Sequence, residues 1–219
     1  MTQPIVIHSA SEADAHLWRL TKEIAALFAD LPWVLIGGQM VAILEAEYGV
    51  VVGRATADVD ALLDVRVVST VARDAADLLR AAGFEPERIG EGLAYRFRRG
   101  AGIVDILVPD HLGGRADLRT VPPGITLEAL GGRQALNRSR RVQVDAGDGV
   151  FEMPIPSLIG AIVIKARVTE ASQTGADKHH RDLARLRART ELRSVDHPAW
   201  RGIAGADDGV LALSILGDS

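Results

Sequence analysis

Hydrophobic positions along the chain change period several times, and each change marks an element. In SEADAHLWRLTKEIAALFAD, residues 11–30, Ala15, Leu17, Leu20, Ile24, Leu27 and Phe28 recur near helical spacing, Ser11 stands where a cap belongs, and Pro32 stops the pattern. This predicts an amphipathic helix. WVLI, 33–36, is a short apolar strand, and Gly37-Gly38 separates it from QMVAILEAEYG, a second helix ending at Gly49. Residues 57–64 read as a strand, and 67–83 as a third helix stopped by Gly83. LAYRFRR (93–99) and GIVDILV (102–108), joined by Gly100-Ala101, predict a hairpin. Residues 109–124 are rich in Gly and Pro and read as loop. RVQV (141–144) and VFEMP (150–154) flank DAGDG and predict a second hairpin. Residues 157–171 and 178–189 are helical in pattern, and 203–216 adds a weaker helical signal. The expected architecture is α+β: a mixed sheet with flanking helices over residues 1–155, followed by a helical region over 156–219.

One strand breaks its own pattern. In GRATADVDALLDV, 53–65, Asp58 and Asp60 stand two positions apart beside Val59 and Leu62. A period of two puts both carboxylates on one face, with Val59 pointing the other way. Asp105 repeats the anomaly as a carboxylate inside the apolar run GIVDILV. Burying ionised carboxylates costs several kcal/mol or more unless a cation, solvent or a shared proton compensates. If the two strands are neighbours, three carboxylates converge. Hard divalent ions such as Mg²⁺ take oxygen ligands, with few carboxylates and the remainder from phosphate and water. Taken alone, the pair is equally compatible with a plain arrangement in which Asp58 ends a turn and Asp60 faces solvent on an edge strand. The strand–Gly–Gly–helix turn is weak evidence by itself. It lets a ligand approach the backbone and places free amides at a helix N-terminus, but it is neither a Walker loop nor a dinucleotide fingerprint.

Composition narrows the classes. Across 219 residues, 47% are hydrophobic and only 4% aromatic, so aliphatic side chains must build the core. There is no cysteine, which excludes disulfides, thiolate metal sites and a cysteine nucleophile, and fits a cytoplasmic protein. The N-terminal stretch has no signal-peptide pattern, and the longest apolar run, SLIGAIVIKA, is interrupted by Lys165, so no membrane span is expected. A net charge of −4 argues against a general polyanion binder. Arginines cluster locally, at 133, 138, 140 and 141 and again at 181, 185, 187 and 189; the second group reads as a solvated helix face. His179 and His180 are adjacent and so diverge on a helix, which argues against a zinc pair. Trp33 and Met40 read as core.

The combination is more specific than its parts. WVLIGGQMVAILEAEYGVVVGRATADVDALL carries an apolar strand, a Gly pair, a helix, and then Arg54-x-Thr56-x-Asp58-x-Asp60. This resembles the nucleotidyltransferase superfamily, whose signature is a Gly-Gly or Gly-Ser turn followed by Asp-x-Asp and a third carboxylate on a later strand, here Asp105. The form with Arg54 and Thr56 is similar to the AbiEii/AbiGii-type toxin branch. PIPSLIGAIVIKARVTEASQTGADKHHRDLARL extends the resemblance through Lys165, Arg167, Lys178, Asp182 and Leu183, so it spans residues 31–190. His179 departs from the branch, which usually has an Asp there, and the spacer between Gly38 and Asp58 is longer than in compact members.

The resemblance implies an activity. Asp58, Asp60 and Asp105 would hold two Mg²⁺ ions around a nucleoside triphosphate, and Asp105 would help deprotonate an acceptor hydroxyl. Gly37 and Gly38 would present amides to the phosphates, with Arg54, Thr56 and Lys165 as further nucleotide contacts and Arg167 and Asp182 as supports behind them. Lys165 has an ordinary alternative as a snorkelling helix lysine, and Arg54 as a surface ion pair. The implied setting is a toxin–antitoxin system with a cognate antitoxin, and in some members transfer to tRNA 3′ ends, for which Arg133–Arg141 is the candidate groove. Two other readings stand beside it. One is a small-molecule, aminoglycoside-type nucleotidyltransferase, for which Glu45, Glu47 and Glu91 are available to hold a cationic acceptor. The other is a nucleotide-binding module without activity, against which the intact Asp58, Asp60 and Asp105 argue.

Overall fold

The computed structural model describes residues 3–49, 56–90, 92–113, 116–171 and 176–193. The chain begins with β1 (Ile5–Val6) and α1 (Glu12–Leu27). β2 (Trp33–Ile36) runs directly into α2 (Gly37–Glu47), and β3 (Val59–Leu63) leads to α3 (Val71–Ala81). β4 (Glu85–Ile89), β5 (Leu93–Arg99) and β6 (Gly102–Pro109) form a meander. They are followed by β7 (Leu127–Ala129), α4 (Gly132–Asn137) and the hairpin β8 (Ser139–Asp145) and β9 (Val150–Pro156). Two helices close the described chain, α5 (Leu158–Ala171) and α6 (Ala176–Arg193).

The fold is α+β with a mixed main sheet. Its strand order is β2-β3-β6-β5-β4, with β7 beside β6; a second sheet has the order β1-β8-β9. β3 and β6 are parallel neighbours, and β2 and β5 flank them in antiparallel sense. Val59, Ala61 and Leu63 on β3, and Val104, Ile106 and Val108 on β6, are fully buried. Alternation therefore sends Asp60 and Asp105 to the opposite face.

Local chemistry explains the elements. Ser11 Oγ accepts from the Asp14 amide and caps α1, whose buried face carries Leu17, Trp18, Leu20, Thr21, Ile24 and Ala25. Trp33 and Met40 are core, as their setting predicts. Helix α3 starts four residues later than its pattern suggests. The Val67 and Val68 amides turn back onto the Asp64 carbonyl, and Arg66 clasps the Asp64 carboxylate, so 64–70 forms a turn instead. Strand β3 begins at Val59, which leaves Asp58 immediately ahead of it.

β1, β4, β7 and α4 are not foreseen by periodicity. β4, EPERI, is polar and holds Pro86, features that suit the sheet edge it occupies. The other three span two, three and six residues, too few for a period to register. After Pro156, Leu158, Ala161, Ile162, Ile164 and Leu186 join the same apolar cluster as the sheet residues, so α5 and α6 share one core with it. The weak helical signal at 203–216 lies outside the described residues. Among the described residues, no helix is long and apolar enough to cross a membrane.

Candidate active site

Strand register brings the acidic residues together. Ile36 on β2 faces Asp60 on β3, Asp60 faces Asp105 on β6, and Asp105 faces Arg96 on β5. Asp60, Asp105 and Arg96 therefore form one cross-strand row with side chains on a common face. Asp58, two residues before Asp60, joins from the strand's entry. One carboxylate oxygen from each of Asp58, Asp60 and Asp105 lies within 4.8 Å of the others. Thr56 Oγ1 donates to Asp58 Oδ1 at 3.1 Å and so braces that carboxylate.

Three clustered carboxylates repel unless positive charge enters. Arg96 supplies one charge. Its Nε donates to Asp105 Oδ1 at 2.8 Å and its Nη2 to Asp105 Oδ2 at 2.6 Å, a bidentate pair, and the same Nη2 stands 3.5 Å from Asp58 Oδ2. Asp105 is only 5% exposed, and burial pushes its carboxyl upward, while the hydrogen bonds and charge of Arg96 pull it back. The bond to Asp105 holds the Arg96 guanidinium protonated far above neutrality, against its own desolvation. The guanidinium thus faces two of the three carboxylates, Asp105 and Asp58. An all-oxygen donor set of three converging carboxylates fits a hard divalent cation such as Mg²⁺.

Gly37 closes the site from the β2 side. Its φ of 75° lies in the left-handed region, and a Cβ there would stand 1.8 Å from Asp60 Oδ2. The missing side chain is thus the space that the Asp60 carboxylate occupies. Helix α2 starts at this turn with Ile36 as its N-cap, no side-chain cap bond and no acidic residue in the first turn. Among the described residues no side chain caps its first amides, the arrangement that favours phosphate.

The remaining predicted residues separate. Lys165 is 5% exposed and its Nζ meets Asp182 Oδ2 at 2.9 Å, joining α5 to α6. Its ammonium is therefore turned inward rather than snorkelling to solvent. Arg167 is exposed on α5. Arg54 lies outside the described residues, as does Glu91. Lys178 and His179 fall within α6 by backbone alone, and His180 is exposed. Glu45 is buried at 1% exposure, 3.9 Å from Arg185 Nε, which tethers α2 to α6. In the arginine group, Arg140 pairs with Glu47 and Arg141 with Glu152, so two of its four charges face glutamates.

Arg96 is the residue that sequence reasoning passes over. LAYRFRR holds three arginines and nothing local distinguishes them. The signal was nevertheless present: counting back from the Gly100-Ala101 turn pairs Arg99 with Gly102 and hence Arg96 with Asp105.

No family model matches the sequence, and no curated protein matches it. Two solved structures are similar in their chain path. One is ANT(2″)-Ia in complex with adenylyl-2″-tobramycin, 14% identical, with a TM-score of 0.47 over 82% of this chain and 92% of that one. The other is an antigenic nucleotidyltransferase-like protein from Paracoccidioides brasiliensis, also 14% identical, with a TM-score of 0.48 over 95% of this chain and 88% of that one.

Proposed function

We propose that this chain is a metal-dependent nucleotidyltransferase, which moves a nucleotide from a nucleoside triphosphate to a hydroxyl acceptor. The observation that carries the reading is the convergence of Asp58, Asp60 and Asp105 beside the uncapped start of α2 at Gly37. Two Mg²⁺ ions held by these carboxylates would supply charge neutralisation at the phosphates and stabilise the attacking and leaving oxygens of an in-line displacement. The acceptor oxygen forms a bond to the α-phosphorus, the bond from that phosphorus to the bridging oxygen breaks, and pyrophosphate leaves. Asp105 takes the acceptor proton. Thr56 keeps Asp58 oriented, and the amides at Gly37 and Gly38 hold the outer phosphates. Arg54, just ahead of Thr56, remains a phosphate contact in this reading, and Arg167, on α5, a support behind the nucleotide contacts.

The resemblance makes RNA, at the tRNA 3′ end, the first acceptor to test, in a toxin–antitoxin setting with a cognate antitoxin as partner. The pairing of Arg140 and Arg141 with glutamates removes charge from the one groove expected to hold RNA, so a small hydroxylated acceptor of the aminoglycoside type is tested beside it, although the Arg140 pair also occupies Glu47 and Glu45 is buried. The test incubates the protein with each of four labelled triphosphates, Mg²⁺, and either total RNA or an aminoglycoside panel. Label in RNA supports the first acceptor and label in an aminoglycoside the second. Asp60→Ala should abolish transfer while circular dichroism stays native. No transfer, together with no nucleotide binding in calorimetry, overturns the proposal.

A further inference from the structure

We infer that Arg96 is a built-in counter-cation that competes with divalent metal for the acidic site and must leave Asp105 before the metal is fully bound. This rests on the enzymatic reading above. Nη2 of Arg96 is 2.6 Å from Asp105 Oδ2 and 3.5 Å from Asp58 Oδ2, so a positive nitrogen already stands between two of the three carboxylates. Both Asp105 oxygens are engaged, Oδ1 by Nε at 2.8 Å and Oδ2 by Nη2. A metal ion that bridges Asp58 and Asp105 would need the space and the lone pairs that this guanidinium uses.

The strand register makes the contact obligatory rather than incidental. Arg96 and Asp105 are direct cross-strand partners, and the hairpin that joins them is two residues wide at its turn. The pair is made in the sheet without any ligand present in the contact. It offsets part of the repulsion among the carboxylates and lets the metal-free sheet close. Displacing the guanidinium requires another anion for it. Glu87 faces Arg96 across β4 and β5 but is engaged by Arg98. The polyphosphate of the substrate is the anion that accompanies the metal, so metal occupancy is coupled to nucleotide occupancy through Arg96.

Mn²⁺ is the probe, with free ion counted by electron paramagnetic resonance in the absence of nucleotide. Arg96→Gln should bind Mn²⁺ about tenfold more tightly than wild type, the size expected for loss of one charge-assisted competitor. Its melting temperature should be lower than wild type without metal and should recover more on adding Mn²⁺. A non-hydrolysable triphosphate should narrow the affinity gap between the two proteins, and a gap that stays constant removes the coupling. Equal or weaker Mn²⁺ binding by Arg96→Gln overturns the competitor role and leaves the enzymatic reading standing, because both proteins still bind metal. No Mn²⁺ binding by either protein, with or without nucleotide, overturns the enzymatic reading itself. If Arg96→Gln does not fold, the wild type decides: the ¹⁵Nε–¹H resonance of Arg96 should move on saturation with Mg²⁺ and nucleotide, and a resonance that stays in place rejects the displacement.

Discussion

Gly37 and Asp60 occupy one another's space, and this gives the site its most local test. An alanine at 37 must accept a φ of 75° and place its Cβ 1.8 Å from Asp60 Oδ2. The backbone strain alone costs about 1–3 kcal/mol, and the collision moves a carboxylate that the metal needs. Gly37→Ala should therefore lower the melting temperature and weaken Mn²⁺ binding together. In an Asp60→Ala background the same substitution should cost less, since the colliding carboxylate is gone; a double-mutant cycle measures the difference. Equal cost in both backgrounds would show that backbone strain accounts for everything. At this scale the sequence was informative where a residue contradicted its element. Asp58, Asp60 and Asp105 stood out because an apolar strand has no ordinary use for a carboxylate. Arg96 did not stand out, because an arginine on a half-exposed strand is unremarkable until register shows which partner it faces. Lys165 stood out as an interruption, but its partner sits on another helix, and no local pattern reveals whether an amine turns inward or outward.

Elements were legible in proportion to their length and periodicity. Strand β2 matches the predicted 33–36, and the β5–β6 hairpin follows from its turn residues. The segment 109–124 was readable only as loop, yet it is fastened at defined points. Thr120 Oγ1 donates to the Ala94 carbonyl at 2.6 Å, and Asp117 receives Arg73 from α3 at 2.6 Å and Arg119 at 2.7 Å. Such anchors depend on tertiary placement, which composition cannot encode. The Asp117 anchor predicts an acid-range effect. Chiefly the Arg119 side-chain hydrogen bond, with help from the Arg119 amide and the Arg73 charge, holds the Asp117 carboxyl down to about 2. A carboxyl depressed by folding stabilises the fold above its unfolded value near 4, and loses that contribution as pH falls through its folded value. The melting temperature of Asp117→Asn should therefore lie below wild type by a constant amount at pH 5–7, and the two should converge between about pH 4 and pH 2. The gap should also shrink with added salt, because Arg119 is largely exposed. A gap independent of pH would remove the carboxylate from the loop's attachment.

At the scale of the whole molecule, the question is what holds the helices after Pro156 against the part that carries the acidic row. The apolar contribution is clear: Ile162, Ile164 and Leu186 enter the common core. The polar contribution is less usual, since Lys165 and Asp182 meet with side chains 6% and 1% exposed, and Glu45 beneath Arg185 is also buried. A buried ion pair adds little net stability compared with apolar packing, but removing one partner strands a desolvated charge and costs about 3–5 kcal/mol. Lys165→Met should therefore destabilise by roughly that amount, and Lys165→Met with Asp182→Leu should recover much of the loss. Denaturant unfolding of the three variants gives both numbers. Nucleotide binding by the folded fraction of Lys165→Met, measured at low temperature, then separates the two uses of this amine. Unchanged affinity makes Lys165 the bolt between α5 and α6, and leaves the phosphates to the β2–α2 turn, Arg54 and the metal held by the three aspartates. Lost affinity at retained fold gives the ammonium to the triphosphate, as the resemblance implies, with Asp182 holding it until the nucleotide arrives. The burial and the 2.9 Å pairing of Lys165 favour the first outcome, because drawing the amine away would break a buried ion pair between α5 and α6.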